Sequence, residues 1–280
     1  MGDRLAAYLA RIGLDAAPPA TPAGLAQLQA AHRQAITFEN LDVLLGRGIR
    51  IGSDDVFSKL VERKRGGYCF EQNRLFADML AAVGIANRPL LARARLAIPE
   101  GVITPRTHVQ LMCDFAGAPW IADAGFGGSY VPPMPLQDGA SAVTGDGARH
   151  RLRHVGAPDG EWVVERSGPV ASTDGRARDN ADWQAQYSFD ITPVMQADLE
   201  MGNHWSFTFP QGRFVLSPII SLVLPTGFIS LNGTMLSVAR DGAAEKREIA
   251  SAGEWRDVLA GLLLLDIPLE DVEALNLFPR

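Results

Sequence analysis

Cysteine is scarce in this chain: two in 280 residues, Cys69 and Cys113. Two thiols exclude a disulfide framework. With no C-x-x-C pair and no His/Cys/acid cluster at ligand spacing, no metal site is predicted. A reducing cytoplasm is the expected compartment. Long apolar runs are also missing. The most apolar stretch, FVLSPIISLVLPTGFI at 214–229, is broken by two prolines and three polar residues, so it falls short of a membrane span. The amino terminus, MGDRLAAYLARIGLDAAPP, has an acid at position 3 and lacks the apolar core of a secretory signal. Ala6 stands where a myristoylation signal requires Ser or Thr. An excess of positive charge is absent too: 26 basic against 32 acidic residues give a formal net charge of −6. That balance argues against nonspecific nucleic-acid binding; ERKRG at 62–66 is only a small basic patch.

Apolar residues, by contrast, are plentiful. At 47% hydrophobic and 21% charged, the chain can bury a sizeable core, and its length predicts two domains or one large one with an appendage. The first third reads helical. Leu5, Tyr8, Leu9 and Ile12 repeat at helical spacing before Gly13. TPAGLAQLQAAHRQAI has a Thr-Pro start and an apolar face of Leu25, Leu28 and Ile36. SDDVFSKLVERK opens with Ser53 as the expected cap. CFEQNRLFADMLAAVG places Leu75, Phe76, Met79, Leu80 and Val83 on one stripe and ends at Gly84. From about residue 88 the texture changes to short strand-like runs: RPLLARARLAI, THVQLMCDF, PWIADAGF, RHRLRHVG and EWVVERSG. PPMPLQDGASAVTGDGARH reads as a long loop. A helix is expected at TPVMQADLEMGNHW, then strands in GRFVLSPIISLVL and GFISLNGTMLSVAR, then helices in SAGEWRDVLAGLLLL and IPLEDVEALNL. Helices followed by strands and a mixed tail predict an α+β fold.

RKRGGYCFEQN, residues 63–73, raises a chemical question. Cys69 falls at the start of a helix, where unpaired N–H groups and the helix dipole favour a thiolate. Gly66 and Gly67 are expected to turn the backbone sharply and keep space open above the sulfur. A nucleophilic thiol needs a base, and the chain has five histidines. His32 reads as a surface or packing residue, and His150 and His154 as part of a solvated, Arg-rich face. His108 opens a strand. Asp123 ends the apolar run Trp120-Ile121-Ala122, where an acid is costly unless paired. A hairpin through AGAP would set His108 opposite Asp123, and the carboxylate would then fix the imidazole's tautomer. Cys113 lies mid-strand, on the other face from His108, and reads as core.

RGGYCFEQN, THVQL and ADAGFGG, in that order, resemble the arylamine N-acetyltransferases, as does ITFENLDVLLGR at 36–47. The likeness spans roughly residues 30–130. It implies a cysteine-protease-like core: a helical bundle (1–87) carrying the nucleophile, an antiparallel β-barrel (88–200) carrying His and Asp, and an α/β lid (201–280). It implies a Cys69-His108-Asp123 triad that passes an acetyl group from acetyl-coenzyme A, through a cysteine thioester, to an arylamine, hydrazine or arylhydroxylamine. That is chemistry of xenobiotic metabolism, with no nucleic-acid or membrane partner. A transglutaminase-like or cysteine-hydrolase-like enzyme is the alternative use of the same triad. By the same resemblance, Phe38, Phe126 and Phe207 are expected to line the acceptor pocket. Thr104, Gly127 and Gly128 are expected to touch the coenzyme, the glycines through a small anion nest at GFGG. Glu39 and Arg65 are expected to pair and brace the nucleophile loop.

Overall fold

Burial of one apolar stripe per element sets the order of the early helices. The computed structural model describes residues 2–99, 101–156, 161–178 and 182–278. Helix α1 (Gly2–Arg11) buries Tyr8 and Leu9. Helix α2 (Pro22–Ala35) starts behind Thr21, whose hydroxyl accepts from the Gly24 N–H at 3.2 Å. After the single turn α3 (Leu41–Leu44), helix α4 (Ser53–Phe57) is capped by Gly52 rather than Ser53. The Ser53 hydroxyl bonds Asp78 instead, at 2.5 Å. Helix α4 runs directly into a π-helical turn, Ser58–Glu62. Helix α5 (Cys69–Ala82) buries Leu75, Phe76, Met79 and Leu80 and ends beside Gly84, in the left-handed region at φ 87°.

The strands β1 (Ala86–Ala94), β2 (His108–Phe115), β3 (Ala118–Ala122), β4 (Met134–Pro135), β5 (Ser141–Val143), β6 (Arg149–His154), β7 (Trp162–Ser167) and β8 (Gln184–Phe189) form one antiparallel sheet in the order β4-β3-β2-β1-β8-β7-β6-β5. It is a nearly closed barrel. The chain between the two edge strands bonds back onto β6, with Gly139 N–H donating to Leu152 O and Leu152 N–H to Ala140 O. The expected loop at 132–150 therefore contains β4, β5 and the start of β6. Helix α6 (Gln196–Thr208) and the turn α7 (Arg213–Leu216) lead into a four-stranded meander. Its strands are β9 (Ile219–Leu224), β10 (Gly227–Asn232), β11 (Met235–Arg240) and β12 (Ala243–Glu248). Helices α8 (Ala252–Leu262) and α9 (Leu269–Ala274) cover one face of it. GRFVL is thus helical, and the strand expected there begins at Ile219.

The α+β expectation holds, but the expected domain limits do not fall between elements. Residue 88 lies inside β1, and the 200/201 boundary cuts α6. Two corrections concern faces. Alternation along β6 turns His150 and Leu152 inward, so His150 is fully buried rather than part of a solvated face. Burial, more than the nearby Arg166, holds its pKa down at about 3. His32 is likewise buried, between the Tyr8 hydroxyl at 2.9 Å and Gln72 Oε1 at 2.6 Å. No helix among the described residues is long and apolar enough to cross a membrane.

Segment 37–39 ties the loop before Cys69 to the carboxy-terminal meander. Phe38 exchanges backbone hydrogen bonds with Ser221 of β9, both 2.9 Å. On either side, Gly67 N–H donates to Thr37 O and Glu39 N–H to Gly67 O. The loop before Cys69 is therefore stitched through one extended segment to the meander.

Candidate active site

Cys69 is the first residue of α5, as the glycine-aromatic-cysteine run predicts. Tyr68 precedes it with extended backbone, and its N–H donates to Glu71 Oε2 at 3.0 Å. Glu71 is thus the return half of a cap that fixes where the helix starts. The two glycines serve close approach rather than a left-handed turn, since neither has positive φ. A Cβ on Gly66 would sit 2.3 Å from Thr37 O, and one on Gly67 2.7 Å from Glu71 Oε2.

His108 and Asp123 meet, but not across a directly facing pair. The β2–β3 hairpin places Leu111 opposite Ala122 and Phe115 opposite Ala118. Ala116 and Gly117, both at positive φ, form a two-residue turn with no bulge. The register differs by two residues from the one expected, which keeps both side chains on the same face, as diagonal neighbours; a one-residue shift would have separated them. His108 Nε2 bonds Asp123 Oδ2 at 2.7 Å. Asp123 Oδ1 accepts from Asn73 Nδ2 at 3.1 Å and from the Gly125 N–H at 2.8 Å. Asn73 lies one helical turn beyond Cys69, and that spacing was the available signal for it. The Asp123 N–H in turn donates to Gln29 Oε1 of α2 at 2.7 Å.

Both members of the pair are buried. Burial alone would lower the His108 pKa, but the Asp123 carboxylate outweighs it. With a hydrogen bond and charge attraction from Cys69, the imidazole is pushed up to about 10. Burial works to raise Asp123, yet His108, Asn73 and the Gly125 N–H hold it below the ordinary carboxylate range. Since Nε2 is engaged by Asp123, Nδ1 is the ring nitrogen left to serve Cys69. The sulfur also lies 3.7 Å from Thr107 O. The imidazole ring is held edge-on by Phe126 at 5.2 Å and tilted against Tyr187 at 4.8 Å.

The raised pKa carries a stability consequence. Between about pH 6.5, where an unfolded histidine titrates, and pH 10, the folded chain keeps a proton that the unfolded chain has released. The contribution is fully present below pH 6.5 and is lost as pH rises through 10. Urea unfolding across pH 7–10 is expected to show stability falling by up to about 1.4 kcal/mol per pH unit from this group, and His108→Gln to flatten that slope.

Cys69 and His108 open onto a cavity of about 340 Å³. Phe38, Phe126, Trp205, Phe209, Phe214 and Ile219 wall it. Two of the three expected aromatics are therefore there. Phe207 is not: Trp205 and Phe209, one helical turn apart, stack at 4.7 Å on the cavity side. Phe207 points away, against His204 and beside Gly48. The 3.6-residue period makes 205 and 209 partners and excludes 207. Gly127 lines the cavity, whereas Gly128 and Thr104 do not. Gly128 is buried, and the Thr104 hydroxyl is spent on Ala94 O at 2.9 Å. None of the GFGG glycines has positive φ, so the alternating-handed anion nest is not formed. They permit close approach: a Cβ on Gly127 would meet the Phe38 ring at 2.7 Å, and one on Gly125 would meet Cys69 Cα at 2.7 Å and Asn73 Nδ2 at 2.6 Å. Gly125→Ala is expected to cost about 1–3 kcal/mol of stability and to displace Cys69 from His108. A lowered thermal midpoint together with slower alkylation of Cys69 checks it.

Glu39 and Arg65 do pair, at 2.8 Å, but within a larger cluster. Lys59 Nζ lies 2.7 Å from both Asp42 and Glu71, and Arg65 is 3.2 Å from Asp42. Lys59, Asp42 and Glu71 had no signal in the sequence beyond their charge. Cys113 is buried among the helical-bundle residues, and burial raises its thiol to about 12.

Known proteins share this arrangement of elements. A model of the family described as N-acetyltransferase matches residues 23–272. The chain is 37% identical to the arylamine N-acetyltransferase / N-hydroxyarylamine O-acetyltransferase of Salmonella typhimurium, over 80% of this chain and 74% of the relative. Its fold is similar to a solved arylamine N-acetyltransferase from Salmonella typhimurium (TM-score 0.88, 31% identity, 98% of each chain). It is also similar to the Mycobacterium marinum arylamine N-acetyltransferase in complex with CoA (TM-score 0.84, 30% identity, 97% of each chain). With a match this long on both counts, the chain belongs to the arylamine N-acetyltransferase family and is an enzyme of the transferase class.

Proposed function

We propose that this enzyme carries an acetyl group from acetyl-coenzyme A to an aromatic amine or hydrazine, or to the oxygen of an arylhydroxylamine, with Cys69 as the covalent carrier. The observation that supports it most is the buried chain Cys69–His108–Asp123 at the base of an apolar cavity. The Asp123 carboxylate favours the protonated imidazole, the positive partner that a cysteine nucleophile needs beside it.

In the first half-reaction the thiolate attacks the acetyl carbonyl. The coenzyme's sulfur leaves with the electron pair of the broken C–S bond and takes the His108 proton. In the second, the acceptor nitrogen attacks the enzyme thioester, neutral His108 accepts its proton, and Cys69 leaves as thiolate. Asp123 keeps Nδ1 directed at the sulfur throughout. The Cys69 N–H, the first of α5, has no hydrogen-bond partner among the described residues. It is the donor nearest to hand for the oxyanion. Aromatic walls exclude the water that would hydrolyse the thioester.

Intact-protein mass after mixing with acetyl-coenzyme A tests this. Wild type should gain one acetyl group, Cys69→Ala none, and an aromatic amine should discharge it. A wild type that gains no acetyl group would remove the proposal; one that hydrolyses amides instead would favour the transglutaminase- or hydrolase-like alternative.

A further inference from the structure

Arg33 of α2 is a buried cation without an ion-pair partner. It is 1% exposed, and among the described residues no carboxylate lies within ion-pair distance of its guanidinium. Arginine is almost never buried so completely unless it is paired. Its hydrogen bonds go to two backbone carbonyls instead: Nη1 donates to Ala124 O at 3.3 Å and Nη2 to Phe126 O at 2.9 Å. Those carbonyls flank Gly125, whose N–H donates to Asp123 Oδ1. The Ala124 N–H donates to Asn73 Oδ1 at 2.9 Å. Gln29, four residues before Arg33 and so on the same face of α2, accepts from the Asp123 N–H and donates to Val131 O at 2.7 Å. Residues 123–126 are thus gripped by α5 through Asn73 and by one face of α2.

The guanidinium also brings charge. Burial lowers its pKa to about 10 against the attraction of Asp123, so it is a cation at neutral pH. Its other titratable neighbours are neutral there: burial pushes Tyr130 up to about 12 and holds His32 down at about 3. The His108–Asp123 pair faces Cys69 and Asn73 of α5, Tyr187 of β8 and Arg33 of α2. Burial keeps Tyr187 protonated. Of these groups, Arg33 is the one that stays charged through both half-reactions.

Resting on the proposed acetyl transfer, we propose that Arg33 is a positioning residue whose fixed charge keeps Asp123 ionised, and in place, while His108 is neutral. The need arises in the second half-reaction. Once Cys69 carries the acetyl group it has no charge, and His108 must be neutral to accept the proton of the amine. Asp123 has then lost the cation it otherwise holds at 2.7 Å. A buried carboxylate left without a cation favours its protonated form. The His108–Asp123 pair, which titrates as a unit, would then hold on to its proton. A nearby guanidinium that does not titrate in this range opposes that, so the base is free at a lower pH.

The pH dependence of acetyl-Cys69 discharge, followed by mass with an aromatic amine that is itself unprotonated across the range, tests this. Its acid limb reports release of the proton from the His108–Asp123 pair. Arg33→Gln should move that limb up by about one pH unit or more, because removing a cation favours the protonated pair. Arg33→Lys, which keeps the charge, should move it by less than about half a unit. A merely structural arginine would lower the rate or the melting temperature and leave the limb where it is. A second readout needs no turnover. In Cys69→Ala, the NMR signals of the His108 ring, identified by their loss when His108→Gln is added, should titrate about one unit higher with Arg33→Gln. An unmoved limb or an unmoved ring titration in folded Arg33→Gln overturns the proposal. So does a shift of about one unit in Arg33→Lys, which decides by itself if the glutamine variant does not fold. If wild type forms no acetyl-enzyme, the transfer reading fails, while the ring titration still decides whether Arg33 balances the charge of Asp123.

Discussion

Asp123→Asn should fold and yet lose about three to four orders of magnitude in kcat/KM for arylamine acetylation, the scale seen when a triad's orienting carboxylate becomes an amide. The side chains are nearly isosteric, and the replacement amide can keep the contacts on the Oδ1 side. Its carbonyl oxygen can still accept from Asn73 Nδ2 and the Gly125 N–H, now 3.1 and 2.8 Å from Asp123 Oδ1. That orientation turns an NH₂ group toward His108 Nε2, where a carboxylate oxygen now accepts at 2.7 Å. The ring must then accept at Nε2 and carry its proton on Nδ1, facing the sulfur. A neutral imidazole in that tautomer cannot take a proton from the incoming amine. The charge that does most to hold His108 protonated is gone as well. Steady-state kinetics beside circular-dichroism melting separates the effects. Near-normal turnover in a folded variant would mean that Asp123 does not orient the base.

Lys59→Met should destabilise the fold by about 3–5 kcal/mol, the cost of breaking a buried ion pair by removing one partner. Lys59 sits between Asp42 and Glu71, 2.7 Å from each and 4.0 Å from Glu39, with its side chain 8% exposed. Without it, Arg65 still pairs Glu39 and Asp42, and Arg47 lies 3.6 Å from Asp42, but Glu71 loses the cation paired with it. The strain falls on Glu71, which burial already pushes up to about 7 against the pull of Lys59. Removing that pull raises Glu71 further. A carboxyl whose folded pKa exceeds its unfolded value near 4.3 binds its proton more tightly when folded. Its contribution is largest at low pH and declines as pH rises through the folded value. The deficit of Lys59→Met is therefore expected to be smaller at pH 5 than at pH 8 in urea titrations. Because Glu71 also holds the Tyr68 N–H, the variant should loosen the turn that aims Cys69 and slow its alkylation. A pH-independent loss under 1 kcal/mol would show that the cluster is solvated and carries little energy.

Several site features were legible because their causes are local. A glycine-aromatic-cysteine run followed by a helical stripe places the sulfur at a helix start wherever the chain goes next. A short turn between two strands brings His108 and Asp123 to one edge, and the two-residue difference in register cost nothing because sheet faces alternate with period two. The Phe207 expectation failed because an aromatic-rich segment does not announce which side of α6 faces the cleft. His150 misled for a related reason. Arg-rich neighbours make RHRLRH look solvated, while the inward set on β6 is decided by what the barrel encloses.

Sequence by itself determined most of the helices and strands and the ordered motifs of the family, and it singled out a thiol, a histidine and an acid that the fold brings to one place. These depend on backbone propensity and spacings of a few residues. Tertiary structure alone decided what surrounds them. Gln29 reaches the Asp123 N–H across 94 positions, Lys59 joins three separate acids, and Arg176 and Arg213 converge on one carboxylate beside the cavity. Burial and charge pairing act through space, and a linear pattern carries no measure of the distances that set their strength.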